Sequence, residues 1–142
     1  MRNNIVEEYR TRMVMALQTT ALAADDYVLP TAGSSLIVLR CLITMGNAAD
    51  LTPAPKTADD ATGTNATAMA SDIPIYVNGV RQTDAKSQAV TAATGNFIVD
   101  FVIDPKLIPA GKYIGMSFAN SDVGNLLACE IIESVAYKPS VT

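Results

Sequence analysis

This sequence has no histidine, which removes histidine-based acid–base catalysis and every Ser-His-Asp or Cys-His arrangement. It has only two cysteines, Cys41 and Cys129, so a zinc site of the usual kind is excluded too. Both cysteines lie among large apolar residues. Buried free thiols are the expectation, because free cysteine behaves as a small hydrophobe; a disulfide between neighbouring strands is the alternative. No Walker A loop, GxGxxG, CxxC or GxSxG motif occurs.

Tryptophan is also absent and aromatics are 6% of the chain, which leaves little for a platform on which sugar rings stack. Charge is scarce: Asp, Glu, Lys and Arg together make 17%, where an ordinary soluble domain carries about 25%. A domain of this size needs charge to cover its surface, so the shortage points to a surface partly covered by protein. The net charge of −4 comes without any Lys/Arg cluster, which argues against nucleic acid as a partner. No apolar run reaches the 18 or so residues of a spanning helix, which argues against a membrane. The opening MRNNIVEEYRTR sets Glu7, Glu8, Arg10 and Arg12 where a secretory signal needs its apolar core. Synthesis and retention in a cytoplasm is the expectation.

What remains for catalysis is a carboxylate pair drawn from Asp100, Asp104, Glu130 and Glu133. Polar residues on a solvated strand face account for these more simply, and the chain is read as no enzyme, with no cofactor. Asp25-Asp26, Asp59-Asp60, and Asp122 with Asn125 offer oxygen ligands for calcium, but none has a recognised loop spacing, and turn or capping roles are expected.

At 142 residues the chain is the size of one domain. Residues 1–11 read as an N-terminal arm or short helix, with Asn4 as N-cap and Ile5, Tyr9 and Met13 in one i, i+4 stripe. Residues 12–142 read as a single β-sandwich. Alternation around Met13, Met15 and Leu17 predicts a strand, and 27–29 a short extended piece before Pro30. In 35–45, Ile37, Leu39, Cys41, Ile43 and Met45 fall on one face, and Leu36, Val38, Arg40, Leu42 and Thr44 on the other. The first face is core. The second is apolar enough that a cover is expected.

Residues 47–72 hold eight alanines, five threonines, four aspartates, Pro53 and Pro55, with Leu51 and Met69 as the large apolar side chains; a long surface loop is the expectation. Asn78-Gly79 predicts a hairpin, 87–92 a weaker strand, and 97–103 a strand with Phe97, Val99, Phe101 and Ile103 on one face. The segment 108–113 reads as a corner that crosses between sheets. Ile114, Met116 and Phe118 alternate in the next strand. The last runs over 126–137, with Leu127, Cys129 and Ile131 inward; the adjacent Ile131-Ile132 and the later Val135 and Tyr137 fit a register change or bulge. About eight strands punctuated by turns make an antiparallel all-β sandwich, with a jelly roll the favoured form.

The stretch Ala23-Ala24-Asp25-Asp26-Tyr27-Val28-Leu29-Pro30 with the strand after it, and later Ile108-Pro109-Ala110-Gly111-Lys112-Tyr113, resembles the small β-sandwich decoration (cement) proteins of tailed-phage heads. The resemblance is one of pattern over the whole chain and carries no functional residues across. It implies a virion location on the capsid surface, the major capsid protein as partner, and self-association, with a trimer as the first expectation. Ile5, Tyr9, Met13 and Leu51 are then the candidate partner contacts. The alternative is a ligand-binding β-sandwich module, such as a carbohydrate- or receptor-binding domain of a tail fibre.

Overall fold

The fold follows from a computed structural model, which describes residues 9–20, 26–118 and 122–135. The strands are β1 (Tyr9–Thr19), β2 (Asp26–Val28), β3 (Ser34–Met45), β4 (Pro53–Ala58), β5 (Thr67–Ala68), β6 (Ile75–Val77), β7 (Val80–Arg81), β8 (Gly95–Ile103), β9 (Tyr113–Phe118) and β10 (Leu126–Val135). They form a six-stranded sheet in the order β1-β10-β3-β8-β6-β7 and a four-stranded sheet in the order β2-β9-β4-β5. The pairings within them are antiparallel. The chain is an antiparallel β-sandwich. Setting aside the small β6–β7 hairpin, the strands of one sheet come first, eighth, third and sixth along the chain, and those of the other second, seventh, fourth and fifth.

The alternation read from the sequence places the core. Ile37, Leu39, Cys41, Ile43 and Met45 of β3 are all buried, as are Val99, Phe101 and Ile103 of β8 and Leu127, Cys129 and Ile131 of β10. Ile114 and Met116 of β9 meet them from the smaller sheet in one cluster. Cys41 and Cys129 stand opposite each other in register and are free thiols. Asn78 and Gly79 both take positive φ, 49° and 80°, the backbone of a two-residue hairpin turn whose twist suits its strands. At the corner, Asp104 accepts a hydrogen bond from the Lys106 amide at 2.9 Å and caps the 3-10 turn Pro105–Leu107. The chain thereby leaves β8 in one sheet and enters β9 in the other.

Several expectations are corrected. β1 starts at Tyr9, so residues 9–11 belong to the sheet and not to an arm; Ile5 lies outside the described residues. Tyr9 and Met13 share a strand face, not a helical stripe. The segment 47–72 is no continuous loop, because β4 and β5 lie inside it and β4 pairs with β9 along its whole length. Small residues hid that strand, and two prolines argued against it. The Pro53 carbonyl accepts from the Gln88 amide and so faces away from β9; the ring nitrogens of Pro53 and Pro55 point to that same side, which β5 pairs only from Lys56 on, so no N–H is missed. Leu51 is fully buried and bridges to Val90, so it is core and no partner contact. Residues 87–92 contribute only that bridge at Val90, not a strand. Against β3, β10 shifts register between Ser134 and Val135, within the stretch whose pattern predicts a register change.

Phe101 sits at the centre of the core, in register with Leu39 on one side and Ile75 on the other. Phe101→Ala is expected to cost about 3–5 kcal/mol of unfolding free energy in a urea titration, the range for emptying a buried aromatic site; a loss below about 1 kcal/mol would place Phe101 outside the core.

Candidate interaction surface

A two-layer sandwich has two outer faces, and this chain treats them differently. On the smaller sheet, Tyr27 lies outward against Gly115, its register partner, and is buried. A Cβ on Gly115 would stand 2.5 Å from the Tyr27 ring, and one on Gly63 would stand 2.7 Å from its other edge. The ring is therefore clasped between β9 and the loop 59–66. Asp60 holds that loop: its Oδ1 accepts from the Thr62 amide at 2.9 Å and the Thr64 amide at 3.1 Å, and its Oδ2 from the Thr64 hydroxyl at 2.6 Å. These hydrogen bonds keep the Asp60 carboxyl well below the usual carboxylate range. Lys112 pairs with Asp59 beside it. The Asp59-Asp60 oxygens thus serve a turn, as expected for them.

The outer face of the larger sheet has no such cover among the described residues. Register sets its rows across the strands. One runs Thr11, Ile132, Val38, Val102. The next runs Met13, Glu130, Arg40, Asp100, Tyr76, Arg81, and the one after it Ala128, Leu42, Ile98. Tyr9, Ser134 and Leu36 lie at one end, and Leu126, Thr44 and Asn96 at the other. Leu36, Leu42 and Ile98 are each 41% exposed, and Met13 is 61% exposed, on strands that hold the centre and edge of the sheet. The face is apolar above and below one charged row.

Two neighbouring pairs within that row interact. Arg40 Nε donates to Asp100 Oδ1 at 2.8 Å and Nη2 to Oδ2 at 3.1 Å, the bidentate geometry of a guanidinium on a carboxylate. The hydrogen bond to Asp100 raises the pKa of Arg40. The Arg81 guanidinium carbon lies 5.5 Å from the centroid of the Tyr76 ring, within range of a cation–π contact. The edges of the sandwich are poor templates for another strand. β1 has two register shifts against β10, and β7, β5 and β2 are two or three residues long.

The candidate carboxylates do not converge into a catalytic pair. Asp100 is engaged by Arg40, Asp104 caps a turn, Glu130 lies on the charged row, and Glu133 is inside the protein. The expectation that Glu133 sits on a solvated face is overturned. Its parity with Leu127, Cys129 and Ile131 was the available signal. Glu133 Oε1 accepts from Arg12 Nη2 at 2.7 Å and from the Thr31 amide at 2.9 Å, and Oε2 accepts from the Thr31 hydroxyl. Arg12 Nη2 also donates to the Leu29 carbonyl at 2.8 Å. At the opposite end, buried Asn125 accepts from the Gly46 and Asn47 amides and donates to the Ala49 carbonyl, so it serves the backbone and not a cation.

Beside the Thr31 turn lies an apolar cleft of about 440 Å³ lined by Leu29, Pro30, Ile37, Pro105, Ile108 and Pro109, among others, within the size range of small-ligand sites.

Burial by itself pushes the Glu133 carboxyl up, but the Thr31 hydroxyl and amide and the Arg12 guanidinium outweigh it and hold the pKa below its ordinary value. The charged form therefore favours the fold. That contribution is whole above the unfolded-state value of about 4.3 and fades as pH falls from there through the depressed folded value. Wild type minus Glu133→Gln stability, from urea titrations, is expected to be positive at pH 7 and to shrink steadily below pH ~4; a difference that does not change with pH would show that Glu133 is not held as a carboxylate.

No family model matches the chain, and no curated protein and no solved structure matches it.

Proposed function

We propose that this protein is a non-catalytic structural subunit: a jelly roll that binds protein through the outer face of its larger sheet and decorates a phage capsid by clamping neighbouring copies of the major capsid protein. The strand order supports the jelly roll. Eight strands that alternate between two sheets as first, eighth, third, sixth and second, seventh, fourth, fifth wind as two interlocked Greek keys. The observation that carries the binding role is the bare outer face. Leu36, Leu42 and Ile98 stand 41% exposed on the sheet that contains the core's central strands, while on the other outer face the loop 59–66 covers Tyr27. Contiguous apolar surface of this kind marks protein interfaces.

On a capsid, each subunit would make modest contacts repeated over a lattice. Linked in an oligomer, such contacts multiply in strength without any one being tight. Tyr9 and Met13 stay candidate partner contacts on this reading, because both lie at the exposed β1 margin of the face. The residues that precede them, Ile5 included, would extend the contact to a neighbouring capsid subunit. The second reading, a ligand-binding module of a tail or fibre, is favoured by the cleft beside Pro30 and Ile108.

Purification of intact particles from producing cells separates the two. A decoration protein is expected in stoichiometric copy number with the major capsid protein, and Leu42→Glu is expected to reduce its occupancy at least about tenfold while leaving the fold intact, since Leu42 faces outward. Recovery only in the soluble fraction, or undiminished occupancy of the variant, would overturn the reading. Loss of binding to tails or glycans on Ile108→Arg would favour the ligand-binding module in its place.

A further inference from the structure

We infer that the outer face of the larger sheet closes on the same face of a second copy, about a two-fold axis that lies in the interface and runs along the strands between β3 and β8. This rests on the reading that the face is a protein interface, and it names the partner and the geometry.

The charge pattern selects the axis. A two-fold axis along the strands keeps each row over itself but reverses its direction. Centred between β3 and β8, it sets Arg40 over Asp100 of the second copy and Asp100 over its Arg40, Glu130 over Tyr76, and Met13 over Arg81. The adjoining rows put Val38 over Val102 and Leu42 over Ile98. The two Arg40–Asp100 pairs become a four-membered network bracketed by aliphatic side chains. Each pair is already bonded bidentately within its own subunit, so the charges enter the interface satisfied rather than bare.

Other arrangements fail on the same pattern. An axis across the strands, along the charged row, stacks Glu130, Arg40 and Asp100 each on its own like. Shifted by one row, it presses Arg40 and Asp100 onto Val or Leu and strips them of water. Edge-to-edge association is opposed by the shifted register of β1 and by the shortness of β7. Stacked sheets commonly cross at about 30°, which strands inclined equally either side of such an axis satisfy. Four strands about 4.8 Å apart and five rows about 6.8 Å apart cover roughly 650 Å² per subunit, hence roughly 1,300 Å² over two, above the lower bound of about 1,000 Å² for a specific interface. The assembly expected is thus a dimer, not the trimer suggested by resemblance.

The test is sedimentation velocity on the full chain from 1 to about 100 µM. The wild type is expected to dimerise. Arg40→Asp and Asp100→Arg are each expected to weaken dimerisation by roughly 100-fold, because each sets like charges against each other. Mixing the two variants is expected to restore a dimer, since every reversed charge then meets its complement across the interface, although each subunit has lost its internal pair. The double reversal in one chain is expected to dimerise as well. Should the charge variants misfold, Leu42→Glu and Ile98→Lys replace them, on side chains that face outward and stand outside the core cluster.

A wild type that stays monomeric, forms a trimer, or dimerises regardless of these changes overturns the inference, as does a mixture that stays monomeric. If the wild type is monomeric and a chain lacking residues 1–8 dimerises, the chain's own end covers the face, which also overturns it. Failure here is distinct from failure of the function proposed above. A monomeric wild type whose Leu42→Glu variant loses its particles leaves the face as a capsid contact, whereas a variant that keeps full occupancy removes the face from function altogether.

Discussion

The structure depends on the burial of one face of β3. That strand is hydrogen-bonded to β10 on one side and to β8 on the other along nearly its whole length, so its backbone needs no further partner and its two faces carry the remaining energetics. Inward, five consecutive alternate residues from Ile37 to Met45 are removed from water, each large aliphatic side chain contributing on the order of 1.5–3 kcal/mol. They can be removed only because a second sheet lies over them. β4 and β9 exist as a layer to meet that demand, and the small residues of β4 let it approach closely.

The outward face of the same strand has no equivalent layer among the described residues. The loop 59–66 lies on the opposite side, against Tyr27, whose ring fits between Gly63 and Gly115 where any side chain on either glycine would collide with it. An aliphatic field crossed by a single ordered row of charges is poorly suited to water over most of its area, and it is specific along one line. On the interface proposed above, burial of the aliphatic rows would supply affinity, while the row of charges would decide orientation, as complementary charges at interfaces generally do.

Two buried polar residues keep the ends of this face in place. Glu133 draws Arg12 of β1 and Thr31 of the β2–β3 turn to one end of the sandwich, and Asn125 ties the β9–β10 turn to the end of β3 at the other. Both are fully removed from water and hydrogen-bonded as such groups must be. They act as local braces: with its carboxylate charged, Glu133 ties the edge strand to the β2–β3 turn through Arg12 and Thr31.

By itself the sequence determined the strands whose two sides differ in polarity, since a period of two is written directly in residue type. It settled β3, β8, β9 and β10, the Asn78-Gly79 hairpin, the corner near Pro109, and most of the core. It also carried the excess of apolar residues on the second side of β3, though not what lies against them. Tertiary structure alone decided the rest. β4 could not be seen because Pro-Ala-Pro-Lys-Thr-Ala has neither bulk nor alternation, and it is a strand only because β9 offers it a ladder. Leu51 is buried because of what packs over it, which no local pattern encodes, and the parity that turns Glu133 inward does not name the Arg12 and Thr31 that meet it there. The charged row is likewise invisible along the chain: Glu130, Arg40, Asp100, Tyr76 and Arg81 come from five strands, and only the register that aligns those strands makes them neighbours.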